Sequence, residues 1–210
     1  YVGEVWPGRS YFPDFSDPET RAWWGGHVGD WLDMGVAGAW NDMNEPAVGG
    51  SYLPDNLWFD FDGCGANALE AKNLYGMLMA RSSFESAQKY GQGHRPFVLT
   101  RSGFAGVQRY AAVWTGDNTA KDEYILGGML LNTQLGLSGL PFVGDDIGGY
   151  IGTTTKELFI RWIEVGAFEP FMRNHKEAFA HANEPWSYGE EAEGIAREYI
   201  GFRYRLMPYL

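Results

Sequence analysis

Five short apolar runs, each ending in polar or charged side chains, alternate along this chain with segments of helical periodicity. The runs cover 36–41, 96–101, 111–117, 140–146 and 168–175, and the spacing of apolar residues predicts helices over 18–34, 69–89, 121–135, 155–164 and 190–206. Asp17-Pro18-Glu19 supplies a cap, a first-turn proline and an early acid for the first of these helices. Asp117, Asp146 and His175 follow one another at intervals of 29 residues, which suits one strand, one helix and two short loops. A repeated unit of that size implies parallel strands, whose C-terminal ends all open on one face. The polar endings at 41–45, 101, 117, 145–146 and 173–175 are therefore expected to converge. An open doubly wound sheet would bind at a switch point behind a glycine-rich phosphate loop, whereas here a polar cluster follows every strand. The expected fold is α/β, a (β/α)8 TIM barrel. Only five of its eight strands can be counted, and 210 residues fall short of the roughly 250 such a barrel needs, so the N-terminal strands are expected to be missing. No linker or low-complexity stretch divides the chain, which reads as one partial barrel domain over 1–210.

Charge narrows the partners. The 27 Asp and Glu against 16 Lys and Arg give a formal charge of −11, which repels a phosphate backbone and an anionic membrane surface alike, so no nucleic acid is expected. Apolar runs stay far below the roughly 18 residues of a membrane span. A single cysteine, Cys64, excludes an internal disulfide and a cysteine zinc cage, and no role is assigned to it. The chain opens with Tyr1 and no leader pattern, so any targeting segment is expected to be absent or upstream, and no compartment is read from it.

The densest polar cluster is Trp40-Asn41-Asp42-Met43-Asn44-Glu45-Pro46, where a strand-end carboxylate can serve as nucleophile or base. The second is Trp114-Thr115-Gly116-Asp117-Asn118, where an indole beside a carboxyl favours the neutral form an acid catalyst requires. Asp42 or Glu45 in the first cluster, and Asp117 in the second, could instead cap the following helix. Two such groups in an aromatic-rich barrel point to glycoside hydrolysis, in which one attacks or activates water and the other protonates the leaving oxygen. Arg101, Asp145, Asp146, Arg173 and His175 offer groups that hold sugar hydroxyls, and Trp6, Trp40, Trp114 and Tyr150 offer flat faces against which pyranose rings stack. Taken singly, each is more often structural. Gly63-Cys64-Gly65-Ala66-Asn67-Ala68 mimics a dinucleotide loop, but it lacks a buried strand before it. His175 and His181 with Asp145 and Asp146 match neither a helical histidine pair nor a calcium loop. No serine-hydrolase elbow or His-Glu-x-x-His is present.

The chain resembles glycoside hydrolase family 31, the α-glucosidase family, along most of its length. The resemblance rests on ordered segments: Glu4-Val5-Trp6-Pro7-Gly8, Phe12-Pro13-Asp14-Phe15, the Trp40 to Pro46 cluster, Asn73-Leu74-Tyr75-Gly76-Met77, Thr100-Arg101-Ser102, Trp114 to Asn118, Asp146-Ile147-Gly148-Gly149-Tyr150 and Arg173-Asn174-His175. It implies that Asp42 is the nucleophile of a retaining, exo-acting α-glycosidase and Asp117 its acid and then base. It further implies that Arg101, Asp146, Arg173 and His175 hold the nonreducing sugar, and that Trp40, Met43, Trp114, Tyr150 and Trp6 line the pocket. An α-linked oligosaccharide or α-glucoside is the implied substrate, and no metal or organic cofactor is implied. Asp145 departs from the family's usual small uncharged residue, and Tyr150 from its usual Phe. Family members carry three barrel strands before this region and β domains on either side of it, so the chain is expected to be a middle piece, about strands 4 to 8, inactive or poorly folded alone. Alternatives are an α-transglucosylase or α-xylosidase of the same family, and a non-catalytic sugar-binding relative.

Overall fold

A computed structural model describes residues 1–49 and 53–210, which form two compact units, Tyr1–Val113 and Trp114–Leu210. The first opens with an antiparallel hairpin, β1 (Val2–Val5) and β2 (Gly8–Tyr11), turned at Trp6-Pro7. Helix α1 (Pro18–Asp33) follows. Asp17 caps it by accepting from the Glu19 and Thr20 amides at 3.0 and 3.2 Å, and Pro18 stands where the first turn needs no donor. Then come β3 (Ala39–Asn41), a small antiparallel ribbon of β4 (Trp58–Phe59) and β5 (Ala66–Asn67), and α2 (Ala68–Ala71). Helix α3 (Tyr75–Tyr90), β6 (Val98–Thr100) and β7 (Ala112–Trp114) complete the series. Strands β3 and β6 pair in parallel from Ala39 opposite Val98, and β6 and β7 from Leu99 opposite Ala112.

The core of this unit gathers Phe15, Leu53, Phe59, Ala68, Ala71 and Tyr75. Phe15 meets the Trp24 and Tyr75 rings edge-on, each at 5.4 Å between centroids, a favoured aromatic geometry. The Asp14 and Ser16 side chains on either side of it accept from the backbone of Asp60 and Phe61 at 2.8 and 3.0 Å, fixing the ribbon against the segment that leads into α1. Trp24 donates its indole N–H to Ser83 Oγ at 3.0 Å, joining α1 to α3.

In the second unit α4 (Asp122–Leu137) precedes β8 (Val143–Gly144) and β9 (Asp146–Ile147). Helix α5 (Lys156–Gly166), β10 (Arg173–Asn174) and α6 (Glu190–Leu206) follow. Strands β9 and β10 are parallel, with Asp146 opposite Arg173. Ile125, Ile147, Leu158, Phe159, Trp162, Ile163, Ala192 and Ala196 make the core. The Thr155 hydroxyl caps α5 at the Leu158 amide. At the other end Arg203 donates to the carbonyl of Gly166, the last residue of α5, and to those of Ala167, Glu169 and Pro170 in the turn that follows, so one cation satisfies the acceptors where the helix ends. Among the described residues no helix is long and apolar enough to cross a membrane.

The alternation of strands and helices agrees with the sequence reading, and 190–206 is matched residue for residue. The strands are shorter, two or three residues each, because pairing stops where the chain turns into a polar loop. The expected strand over 140–146 divides at Asp145 into β8 and β9. The expected helix over 69–89 is interrupted by a tighter turn at Lys72–Leu74, where a capping box between Asn67 and Glu70 starts a first short helix of its own.

Candidate active site

The candidate residues fall into one group in each unit. In the first, Asp42 follows β3 and Arg101 follows β6, and the parallel register brings these two strand ends together: the Arg101 amide donates to the Asn41 carbonyl at 3.0 Å. The Arg101 guanidinium forks onto Glu45, Nε to Oε1 and Nη2 to Oε2, both at 2.8 Å, while its Nη1 lies 3.1 Å from Asp42 Oδ1. Met43 Sδ lies 3.2 Å from Nη2, and Ser102 Oγ donates to Glu45 at 2.8 Å. Burial alone would push the Glu45 carboxyl up, but the Arg101 fork and the Ser102 hydroxyl outweigh it and hold Glu45 below its usual range. Glu45 thus takes up much of the guanidinium charge, while Asp42 meets it at Nη1.

Asn44 fixes the loop that carries these groups. Fully buried, it donates to Thr100 Oγ1 at 2.8 Å and accepts from the Ser102 amide at 3.1 Å. Met43 adopts φ +59°, a left-handed conformation costly for a residue with a side chain and held here by the surrounding hydrogen bonds. Trp40 stands on β3, half exposed. Trp6 sits at the hairpin turn, 86% exposed, with no hydrogen bond or ring contact among the described residues, so this unit does not bring it to the Asp42 group.

In the second unit Asp146 is fully buried and its Oδ1 meets Arg173 Nη2 at 2.6 Å across the β9–β10 pair. The Arg173 guanidinium lies 4.9 Å from the centre of the buried Trp114 ring, a cation–π distance. Tyr150 and His175 stack at 5.1 Å and 23°. Asn118 laces the loops together, accepting from the Tyr150 amide at 2.9 Å and donating to the Asp146 carbonyl at 3.2 Å. Gly149, at φ +79°, lets the second loop pass the first, since a Cβ there would lie 2.5 Å from the Ala120 backbone. Burial pushes the Asp146 carboxyl up to about 7, helped by the charges of Asp117 and Asp145 and opposed by Arg173. The ion pair does not win because Asp146 Oδ2 is buried without a hydrogen-bond partner among the described residues.

The helix-cap alternative holds for none of the three acids, Glu45 accepting from the Arg101 and Ser102 side chains instead. The cap of α4 is Lys121 rather than Asp117, and Asp42 accepts from its neighbour Met43 and pairs with Arg101 in a loop that begins no helix. Asp145, grouped in the sequence with the hydroxyl-holding residues, is 1% exposed, and its Oδ1 accepts from Thr115 Oγ1 at 2.5 Å. Sequence reasoning missed Glu169 as a neighbour of this site. Also buried, it accepts from the Asp145 amide at 3.2 Å and from Asn132 at 3.1 Å.

Burial, and then the nearby Asp145 charge, push Glu169 up to about 7. The folded state therefore keeps a proton that the unfolded chain releases above about 4.5. Stability is full below that point and falls by about 1 to 3 kcal/mol as pH rises towards 7. Glu169→Gln, neutral throughout, is expected to lessen this fall, visible as a smaller drop in melting temperature between pH 4.5 and 7. A residual slope is expected from Asp146, which is raised in the same direction.

Residues 1–210 match the model of the glycosyl hydrolases family 31 TIM-barrel domain. Alpha-glucosidase 2 of Bacillus thermoamyloliquefaciens is 44% identical over 212 residues, which take in all of this chain and 27% of that protein. The crystal structure of a family 31 alpha-glucosidase from Bacteroides thetaiotaomicron superposes with a TM-score of 0.85 at 41% identity, covering all of this chain and 34% of that one. The glucosidase II alpha subunit, crystallised with Tris, gives 0.91 at 35% identity over 99% of this chain and 23% of its own. The chain spans about a quarter of the length of the curated relatives it matches. It is a TIM-barrel segment, its parallel strands incomplete as a barrel, and it belongs to glycoside hydrolase family 31.

Proposed function

We propose that this chain carries the catalytic residues of a retaining, exo-acting α-glucoside hydrolase. Asp42 attacks the anomeric carbon, forming an ester as the bond from that carbon to the glycosidic oxygen breaks, and Asp117 gives its proton to the departing oxygen. Asp117 then takes a proton from water, which attacks the same carbon and returns Asp42 as a carboxylate, so two inversions restore the α configuration. Such a reaction needs the two carboxyl groups about 5 to 5.5 Å apart. Arg101 bears on this role because Glu45 shares its charge: a guanidinium devoted to Asp42 would hold the nucleophile's electrons, whereas the fork on Glu45 leaves Nη1 to orient Asp42.

The observation that carries the reading is the buried Asp146–Arg173 pair against Trp114. A carboxyl with one oxygen paired and the other lacking a donor among the described residues, beside an aromatic face, suits a neutral ligand rich in hydroxyls, as a glycone is. Tyr150, His175, Trp40 and Met43 complete the proposed sugar pocket, and Trp6 is proposed at its margin. The relatives named as alpha-glucosidases support glucose as the glycone.

Maltose is the deciding substrate. The intact protein is expected to release glucose from it. Longer oligosaccharides instead of glucose would mark a transglucosylase, in which a sugar hydroxyl outcompetes water for the same intermediate. On p-nitrophenyl α-glucoside, whose leaving group is not a sugar, the glucose is expected in the α configuration at the first turnover, followed by NMR. Turnover of α-xylosides in preference to α-glucosides would shift the glycone, and β-glucose as first product from the aryl glucoside would overturn the retaining mechanism.

A further inference from the structure

Asp145 is a costly residue to bury. It is 1% exposed, it interrupts what would otherwise be one continuous strand, and α4 makes room for it: a Cβ on Gly128 would lie 1.7 Å from Asp145 Oδ2. Its backbone is anchored by Glu169, and the Asn132 side chain, which donates to Glu169, also favours the charged form of Asp145. The backbone contact needs no carboxyl there, and an apolar side chain would fill the space at lower cost. Among the described residues the carboxyl accepts from Thr115 Oγ1 at 2.5 Å.

Thr115 stands two residues before Asp117, and the residue between them is Gly116 at φ +85°, with open space where a side chain would be. On the near side of Asp117 the chain is held by Thr115, whose amide donates to the Gly144 carbonyl at 3.2 Å and whose hydroxyl donates to Asp145. On the far side it is held by Asn118, bonded to Asp146 and Tyr150. Between the two fasteners the chain makes a tight turn, in which the Asn118 amide donates to the Gly116 carbonyl at 3.0 Å, so the placing of this turn, and with it the aim of Asp117, follows the fasteners on both sides.

We propose that Asp145 is a positioning residue for the general acid, its buried carboxyl fastening Thr115 and through it setting the direction of Asp117. The inference rests on the acid role proposed for Asp117. Asp145 touches no substrate; it acts by restricting where the proton donor points, and a misplacement of about 1 Å can cost about a hundredfold in rate. The loss falls selectively on substrates whose leaving oxygen needs protonation.

Thr115→Val keeps the shape and removes the hydroxyl, and Thr115→Ser keeps the hydroxyl. In the intact protein, kcat/KM of Thr115→Val is expected to fall about 10- to 100-fold on maltose and less than about threefold on an α-glucoside with a dinitrophenyl leaving group. Thr115→Ser is expected to stay within about threefold of wild type on both. Asp145→Ala is expected to show the same substrate selectivity, and adding it to Thr115→Val should cost little more, because both remove one hydrogen bond. Equal losses on the two substrates would make the contact merely structural, and no loss on either would make it idle; both outcomes overturn the proposal. If Asp117→Ala is itself unselective, the acid assignment fails. If Asp117→Ala is selective and Thr115→Val is not, only the positioning role fails.

Discussion

Removing the carboxyl of Asp42 is expected to lower kcat on any α-glucoside by about 10⁴-fold or more, the scale seen when a covalent nucleophile is deleted. Asp42→Ala leaves the Arg101–Glu45 fork intact, since that pair makes two hydrogen bonds of its own, so the fold should tolerate the change. The truncation opens space on the face from which the carboxylate attacks. Azide can enter it and react with a substrate that carries an activated leaving group. One displacement then replaces two, and the product is expected to be a β-glucosyl azide, inverted relative to the α substrate. Loss of activity alone could follow from several kinds of damage. Recovery with azide and an inverted product follows only from a missing nucleophile.

Asp117→Ala is expected to behave differently. A dinitrophenolate leaves without help, so formation of the glycosyl-enzyme from such a substrate should be slowed little, whereas maltose should lose about 10²- to 10⁴-fold in kcat/KM. Hydrolysis of the intermediate also loses its base, so the glycosyl-enzyme should accumulate as a burst. Azide, which needs no deprotonation, is expected to intercept it on the face opposite Asp42 and give an α-glucosyl azide. The two variants therefore yield azides of opposite configuration. Equal damage by Asp117→Ala to both substrates would remove the acid role from this residue.

The parallel α/β arrangement was legible because its signal is long in range: apolar runs with polar ends recur at the length of a strand and its crossover. The candidate residues were legible for the same reason, since Asp42, Arg101 and Asp117 follow the ends of short strands, and Asp146 and Arg173 open the two short strands that pair with one another. The separate roles proposed for them rest on the family resemblance, with the indole beside Asp117 as the local hint of an acid. The part of Glu45 depends on Arg101, 56 residues further on, and no local pattern announces a fork between them. Asp145 looked like its neighbour Asp146, because a strand broken by one residue cannot be told from a continuous one by composition. The break turns Asp145 towards Thr115, with room left by Gly128, while Asp146 faces Arg173. The ribbon of β4 and β5 escaped notice because two-residue strands carry no period.

The covalent ester on Asp42 is the step on which the account turns. A fluorinated α-glucosyl fluoride that forms this intermediate quickly and releases it slowly should label the intact protein with one sugar. Digestion and tandem mass spectrometry are then expected to place that sugar on the Asp42 side chain, within the peptide that contains Trp40 and Glu45. A sugar found instead on Glu45 or Asp117, or turnover of the reagent with no labelled peptide at any time, would contradict it.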